Sequence, residues 1–388
     1  MKYDVVVIGA GPAGSMTARD LARGGASVLL VEKRPEIGMP VRCGEATGIP
    51  GLALVDVVPW KRAVASETKG SYLYSPDGTR VELLADHVNG YVLERRIFDK
   101  QLAVEAAKAS AVVRVRTYAT GIVKEEGRIV GVKLKHFNDE FEVRCSVVVG
   151  ADGIEGKVGR WAGIDTRTSL PQMASNLQYE MAGIEMDNPD VMEFYFGNDV
   201  CPGGYVWVFP KGDGCANVGL GTRDRNQTPK EYLDRFISEH ENLSRGSVVG
   251  VNAGGVPVAG PIDVSVKDNI VLVGDSARQI DPLTGGGIYN AMHCGRLAAE
   301  TILKSIETGD FSASALMEYE TRWKEEIGQG LLRSLRVKEA LERMTDDDLN
   351  HVARLMTNMS LGGLDVKELT TAMLELPPDM LEFIQSLM

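Results

Sequence analysis

The stretch Tyr3-Asp-Val-Val-Val-Ile-Gly-Ala-Gly-Pro-Ala-Gly14, continued by Ser27-Val-Leu-Leu-Val-Glu32, decides the fold of the first part of the chain. An apolar, β-rich run ends at Gly9, Gly11 and Gly14 open a helix, and a second apolar run ends in an acid about 20 residues later. That is the full frame of a βαβ dinucleotide grip. Gly9 permits the tight turn, Gly11 lets the backbone approach a pyrophosphate, and Gly14 lets the helix pack on its strand. The helix N-terminus offers free N–H groups to the phosphates, and Glu32 would accept hydrogen bonds from a ribose.

Two later segments bear on which dinucleotide is held. Val147-Val-Val-Gly-Ala-Asp-Gly153 is an apolar strand ending in Asp-Gly, followed by Lys157 and Arg160. Asn269-Ile-Val-Leu-Val-Gly-Asp275 ends a second buried strand, and the chain continues through a loop with three glycines, Gly285 to Gly287, into a helix start at Ile288-Tyr289. An acid at a strand end can bind the hydroxyls of a ribityl chain, and a glycine-rich helix entry can bring N–H groups near a flavin ring. The order GxGxxG, Asp-Gly, Gly-Asp resembles the flavoprotein hydroxylase superfamily, whose prototype is p-hydroxybenzoate hydroxylase. The resemblance implies FAD as the ligand.

Composition fits a large enzyme, because 388 residues at 44% hydrophobic can bury a substantial core and hold two or more subdomains. No apolar stretch approaches the roughly 18 residues of a membrane span, and Met1-Lys-Tyr-Asp4 has no signal-peptide pattern. A cytoplasmic protein, at most peripheral to a membrane, is expected. A net charge of −12 offers no broad basic face, which argues against nucleic acid. The five cysteines, Cys43, Cys145, Cys201, Cys215 and Cys294, contain no CxxC, so neither a zinc ribbon nor the usual dithiol spacing is present and no metal is expected.

The pattern predicts an α/β fold: a discontinuous Rossmann-like FAD-binding domain of the p-hydroxybenzoate hydroxylase type (1–70, 92–165 and 255–310), a β-rich substrate domain (71–91 and 166–254) and a C-terminal helical region (311–388). Helical spacing is expected over Ile97 to Lys108, and strands over 112–149 with a charged turn at Glu125 to Arg128. Strands are also expected over Val191 to Phe196 and Tyr205 to Phe209. Gly250 to Gly255 is glycine-rich without a strand-turn-helix frame and reads as a turn or bulge. With one complete grip, the chain has no second Rossmann domain for NAD(P)H. A transiently docking donor must reduce the flavin.

The β-rich insert carries Pro202-Gly-Gly-Tyr205-Val-Trp207-Val-Phe209-Pro210. In a strand, Tyr205, Trp207 and Phe209 share one face, so three large rings would line a single surface in a chain only 6% aromatic. The pattern PxxYxWxFP resembles the geranylgeranyl reductase family, which sits inside the same superfamily. The likeness extends to Glu32 through Gly38, to Pro40-Val-Arg-Cys43-Gly44-Glu45-Ala46, where a glycine is common in place of Ala46, and to Tyr91 through Arg95 with Phe98-Asp99. It spans nearly the whole chain and is nearest to the archaeal digeranylgeranylglycerophospholipid reductases. It implies a cofactor set of Gly9, Gly11, Ala13, Gly14, Glu32, Cys43, Gly44, Ala46, Arg95, Ala119, Asp275, Gly287 and Ile288, with Tyr205, Trp207 and Phe209 on the substrate and Cys43 as a candidate catalytic group. The implied reaction is FAD-dependent reduction of isoprenoid double bonds to saturated phytanyl chains, with geranylgeranyl diphosphate or another polyprenyl chain as the alternative substrate. The donor would be ferredoxin, NAD(P)H or a deazaflavin.

A trisubstituted alkene is electron-rich, so a proton must arrive as hydride does. Ring faces can stabilise the developing cation, but Cys43, with an ordinary thiol pKa of about 8.5, is a poor acid toward an alkene. Two rivals stay open: a flavin monooxygenase or halogenase on the same scaffold, and a noncatalytic flavin-binding lipid carrier. Residues 330–388 recur at helical spacing and are rich in methionine, which suits either packing on the body or a cover over a lipid-tail cavity.

Overall fold

The computed structural model describes residues 1–360, and side chains through 357. The expectations for residues 361–388 lie outside the described residues. Three strands with buried apolar runs make the centre: Lys2–Ile8, Val28–Val31 and the end of Asp139–Gly150, with Val5 to Val7 and Val147 to Val149 all at 0% exposure. Strands this apolar on both faces need helices above and below, and a parallel sheet follows. The order is Val266–Lys267, Ile270–Leu272, Asp139–Gly150, Lys2–Ile8, Val28–Val31, Val112–Arg114, parallel except for the first pair. Helices Pro12–Arg23, Arg95–Lys108 and Ile288–Thr308 pack on this sheet and on one another.

The first half of Asp139–Gly150 has a second role, pairing antiparallel with Arg128–His136, which pairs in turn with Thr117–Glu125. The charged turn expected between these last two strands falls at Glu126 and Gly127, both at positive φ. A seven-stranded sheet stands apart from the parallel one. Its order is Ser247–Pro257, Met173–Ala182, Cys215–Thr222, Tyr205–Gly212, Met192–Tyr195, Gly70–Tyr74, Arg80–Leu84. Gly90–Leu93 pairs instead with Ala46–Gly48 and Val64–Thr68 in a small three-stranded sheet between the two.

One local expectation is corrected. Gly250 to Gly255 is not a turn; it lies inside the edge strand Ser247–Pro257, paired along Met173–Ala182, with a register shift at Glu180 and Met181. Close approach accounts for two of these glycines, since a methyl group on Gly255 would sit 3.0 Å from the Met173 sulfur and one on Gly250 3.3 Å from Glu180 Cβ. A glycine run without a chain reversal is what close approach of neighbouring side chains requires.

The described C-terminal helices are Ala313–Trp323, Gln329–Leu341 and Asp346–Ser360, the first two joined without a break through a π-helical turn at Lys324–Gly328. Asp346 to Asp348 open the last helix, where Thr345 and Asp348 cap each other. Leu283, in the glycine loop before Ile288, packs with Val337, Leu341 and Met344, so this region leans on that loop.

Candidate active site

The glycines of the first turn divide their work in a way the motif alone does not reveal. Gly9, at φ +106, lies so close to the neighbouring strand end that a methyl group there would come 2.2 Å from the Ala151 carbonyl oxygen. On Gly14 it would come 1.9 Å from the Gly9 oxygen, but on Gly11 it would meet nothing within 4 Å. Two glycines therefore close the backbone, and the third leaves open space at a helix N-terminus. The helix starts with Gly11 as N-cap and Pro12 in its first turn, and no side chain caps its N–H groups. Ala13 is buried beneath this turn, where a methyl on Gly274 would come 2.9 Å from its Cβ.

Glu32 ends its strand at the mouth of the same turn. Its carboxylate accepts from the Ala10 N–H at 3.1 Å and from the Arg34 N–H at 3.0 Å, and its carbonyl accepts from Thr117 at 2.9 Å. That last bond brings Ala119, two residues on, to the same edge. At the other strand end, the Asp152 carboxylate accepts from the Val158 N–H at 3.0 Å with one oxygen, while the other is buried without a partner among the described residues.

Asp275 sits in the tight turn Gly274–Ala277 that follows strand Ile270–Leu272. Its carboxylate has no hydrogen bond among the described residues. Burial pushes its pKa above the ordinary aspartate value, with Arg95 pulling the other way. A methyl group on Gly287 would lie 3.6 Å from Asp275 Oδ1, which places the glycine loop directly against this acid. Ile288, the first helical residue after that loop, is buried with Met16, Leu52 and Met292, and Cys43 packs on the same cluster. These fragments, distant in sequence, surround one place.

Cys43 is half-buried and unbridged. Its sulfur accepts the Glu45 N–H at 3.2 Å. Burial pushes the thiol pKa up while the Arg95 guanidinium opposes it, so the group rests as a thiol rather than a thiolate. Arg95 itself is gripped by both oxygens of Asp99, at 2.7 and 2.9 Å. Ala46 leaves this turn into the small sheet, opposite Val92.

Tyr205, Trp207 and Phe209 do share one face, and they form a cluster with Val92, Ala46, Met192 and Phe194. Trp207 and Phe209 are 7% and 5% exposed and Tyr205 is more open, so the stripe is closed at one end and accessible at the other. The closing element is the Cys43-Gly44 turn, since a methyl on Gly44 would lie 2.8 Å from the Phe209 ring and 3.6 Å from Trp207 Nε1. Trp207 Nε1 donates to Gln178 Oε1 at 2.9 Å, and the Tyr205 hydroxyl donates to the Thr284 carbonyl in the glycine loop. The aromatic face thus meets both the Cys43-Gly44 turn and the glycine loop that lies against Asp275.

Comparison with known proteins agrees with this geometry. The family model described as FAD dependent oxidoreductase matches residues 4–49, and the one described as geranylgeranyl reductase catalytic domain matches 172–256. The chain is 43% identical to digeranylgeranylglycerophospholipid reductase of Methanocaldococcus jannaschii, covering 100% of this chain and 98% of the relative. It is 45% identical to the Methanosarcina mazei enzyme of that name, over 96% and 93%. The chain belongs to the geranylgeranyl reductase family of FAD-dependent oxidoreductases.

Among solved structures, a geranylgeranyl bacteriochlorophyll reductase-like protein from Thermoplasma acidophilum superposes with a TM-score of 0.92 at 39% identity, covering 100% of this chain and 99% of the other. A flavin-dependent brominase variant shares the fold alone, at 20% identity and a TM-score of 0.71 over 96% and 99%. For a family member, the residues fit FAD on their own terms: an open space over Gly11, an uncapped helix N-terminus, and a half-buried Asp275 without a partner among the described residues, where a ribityl chain would donate. Among the described residues no group of three or more His, Cys, Asp or Glu could hold a metal ion, and no helix is long and apolar enough to cross a membrane.

Sequence reading missed an ionic cluster in this reductase. Glu45, 2% exposed, accepts from the Arg95 N–H at 2.8 Å, Lys211 Nζ at 3.0 Å and Asn217 Nδ2 at 2.8 Å. Lys211 also meets Glu94 at 2.8 Å and Glu180 at 3.8 Å. Glu45 follows Cys43-Gly44, and Lys211 directly follows the aromatic motif. Adjacency to motifs was the only available signal, because partners 166 residues apart look like ordinary surface charges in sequence.

Proposed function

We propose that this chain hydrogenates the isoprenoid double bonds of 2,3-digeranylgeranylglycerophospholipids, giving the saturated phytanyl chains of archaeal membrane lipids. The observation that carries the reading is the closing of the aromatic face Tyr205, Trp207 and Phe209 onto the Cys43-Gly44 turn and, through Thr284, onto the glycine loop that leads to Gly287 and Ile288. An apolar wall beside a flavin site is what a long polyprenyl tail requires. Bound FAD supplies the hydride in this chemistry. Gly9, Gly11, Ala13, Gly14 and Glu32 hold its nucleotide half, Ala119 borders the adenine side, and Asp275, Arg95, Ala46, Gly287 and Ile288 border the reactive half.

The remaining work falls to side chains. The Tyr205 and Trp207 ring faces stabilise positive charge at the tertiary carbon, at about 0.5 to 2 kcal/mol each. Cys43, kept as a thiol by burial, contributes packing and a neutral polar contact rather than acidity, and fully reduced FAD would supply the balancing proton together with the hydride. The FAD-binding part takes 1–70, 92–165 and 255–310, the substrate part 71–91 and 166–254, and 311–388 forms the flanking helices. An external ferredoxin, NAD(P)H or deazaflavin reduces the flavin. Peripheral contact with a membrane is supported by Leu54 and Val58, exposed at 65% and 84%, beside the exposed Lys61 and Arg62.

Anaerobic incubation of the dithionite-reduced protein with a digeranylgeranylated phospholipid tests the reading by product mass. Added hydrogen at the alkenes is expected. A product formed only with oxygen, hydroxylated or halogenated, would overturn it.

A further inference from the structure

Glu45 is a buried carboxylate to which the reaction above gives no task, yet every one of its polar groups is engaged. Its N–H donates to Cys43 Sγ at 3.2 Å, and its carbonyl accepts from Leu93 at 2.9 Å. Its carboxylate accepts from Arg95 N–H, Lys211 and Asn217 at 2.8, 3.0 and 2.8 Å. These partners come from two parts of the chain: residues 93–95 before and within helix Arg95–Lys108, and the two central strands Tyr205–Gly212 and Cys215–Thr222 of the seven-stranded sheet. The Asn217 amide also reaches the Gly44 carbonyl, at 3.2 Å.

The backbone of Glu45 is at φ +76, a left-handed conformation that a glutamate adopts only when its surroundings hold it there. Lys211 is 4% exposed, and an ammonium so buried is retained because Glu45, Glu94 and Glu180 surround it. Strain at one residue and a buried ion pair at the same residue indicate a specific purpose. The strained turn is the one that carries Cys43 and presses Gly44 on Phe209 and Trp207.

We infer that Glu45 is a positioning residue, a clasp to Lys211 and Asn217 that holds the Cys43-Gly44 turn against the aromatic wall and so fixes the width of the site between cofactor and alkene. It does not touch the reacting atoms. Cys43 is its reporter: held by the clasp, the sulfur is packed in the Ile288 cluster, and released from it, the turn lifts and the sulfur opens to solvent. The inference rests on the proposed reduction only where turnover is measured.

The test uses the FAD-loaded full chain with Cys215→Ser as background, leaving Cys43 as the half-buried thiol. Glu45→Gln removes the charge, and Glu45→Gly removes the clasp while relieving the backbone, since glycine adopts φ +76 freely. Iodoacetamide labelling of Cys43, located by peptide mass, should accelerate roughly 10-fold in both, as loss of a charge-assisted hydrogen bond allows. Turnover per bound flavin should fall with KM for the lipid little changed. Asn217→Ala, which leaves the ion pair intact, should give a smaller acceleration and keeps the test open if a Glu45 variant fails to fold. Unchanged labelling in Glu45→Gly and Asn217→Ala would overturn the clasp, whether or not the protein reduces lipid; faster labelling in a protein inactive on lipid would uphold the clasp and count against the proposed reduction instead.

Discussion

The Tyr205 hydroxyl donates to the backbone carbonyl of Thr284, so the open end of the aromatic stripe is tied to the glycine loop rather than to its own sheet. That loop is ordered by Asp281, whose carboxylate accepts from the Leu283 and Thr284 N–H groups, both at 2.9 Å, and from Ser334 Oγ at 2.6 Å. The aromatic face and the glycine loop are therefore joined through this bond. Tyr205→Phe keeps the ring and removes the tie, at a cost of about 1 kcal/mol in loop order. Faster hydrogen exchange across 281–287 with FAD still bound is the expected result; unchanged exchange would mean the bond does not order the loop.

Asp275 has no protein hydrogen bond to lose among the described residues, so Asp275→Ala should leave folding of the FAD-free chain nearly unchanged while weakening FAD retention. Each lost hydrogen bond to a charged acceptor is worth about 1.5 to 3 kcal/mol, or roughly 10- to 100-fold in affinity. Titration of the apoprotein, read by flavin fluorescence, checks this, and equal affinity would remove Asp275 from the site.

Trp207 is buried in the aromatic cluster and bonded to Gln178. Truncation to alanine would open a cavity and leave Gln178 Oε1 without its indole donor, at about 3 to 5 kcal/mol, so loss of activity in Trp207→Ala would say little about catalysis. Trp207→Phe keeps most of the volume. Turnover should fall severalfold with the melting temperature within a few degrees, and equal turnover would argue that the indole face does not stabilise charge.

Lys211 sets a pH limit. Burial alone would strip its proton, but Glu45 and Glu94 outweigh that and hold its pKa above the ordinary lysine value. A group with a raised folded-state pKa contributes its full stability below the unfolded pKa and loses it as pH rises through the folded one. Unfolding free energy should therefore decline with rising pH above the ordinary lysine range. In Lys211→Met that alkaline decline should flatten, while stability at neutral pH falls because Glu45 is left buried without its cation. Denaturant melts across the alkaline range would show it, and parallel pH profiles for the two proteins would contradict the assignment.

Much of this was legible in the chain because its signals are local. The grip from Tyr3 to Glu32 follows from hydrophobic runs and glycine spacing, and the aromatic face from the two-residue period of a strand. What stayed hidden depends on which strangers meet. Gly250 to Gly255 looked like a turn because glycine is ambiguous between reversal and close approach, and only the Met173 and Glu180 side chains decide between them. Glu45 and Lys211 carry no periodic mark, and their burial arises where the small sheet, the start of helix Arg95–Lys108 and the seven-stranded sheet meet at one turn. The closure of Phe209 by Gly44 was equally invisible, since a glycine reports what it permits and never what comes near.

The parallel sheet imposes an order on synthesis. Val148 and Val149 find their neighbours in Ile270 and Val271, and between them in sequence lie five strands of the seven-stranded sheet. As the chain emerges N-terminus first, the valine edge of Asp139–Gly150 waits bare until more than a hundred further residues have been made. Such an edge invites pairing with other nascent chains, and its long loop closure slows folding. Expression at lower temperature or with slowed initiation should therefore raise the soluble yield more than any change at the site itself, and a construction that supplies Asn269–Asp275 early would shorten the vulnerable interval.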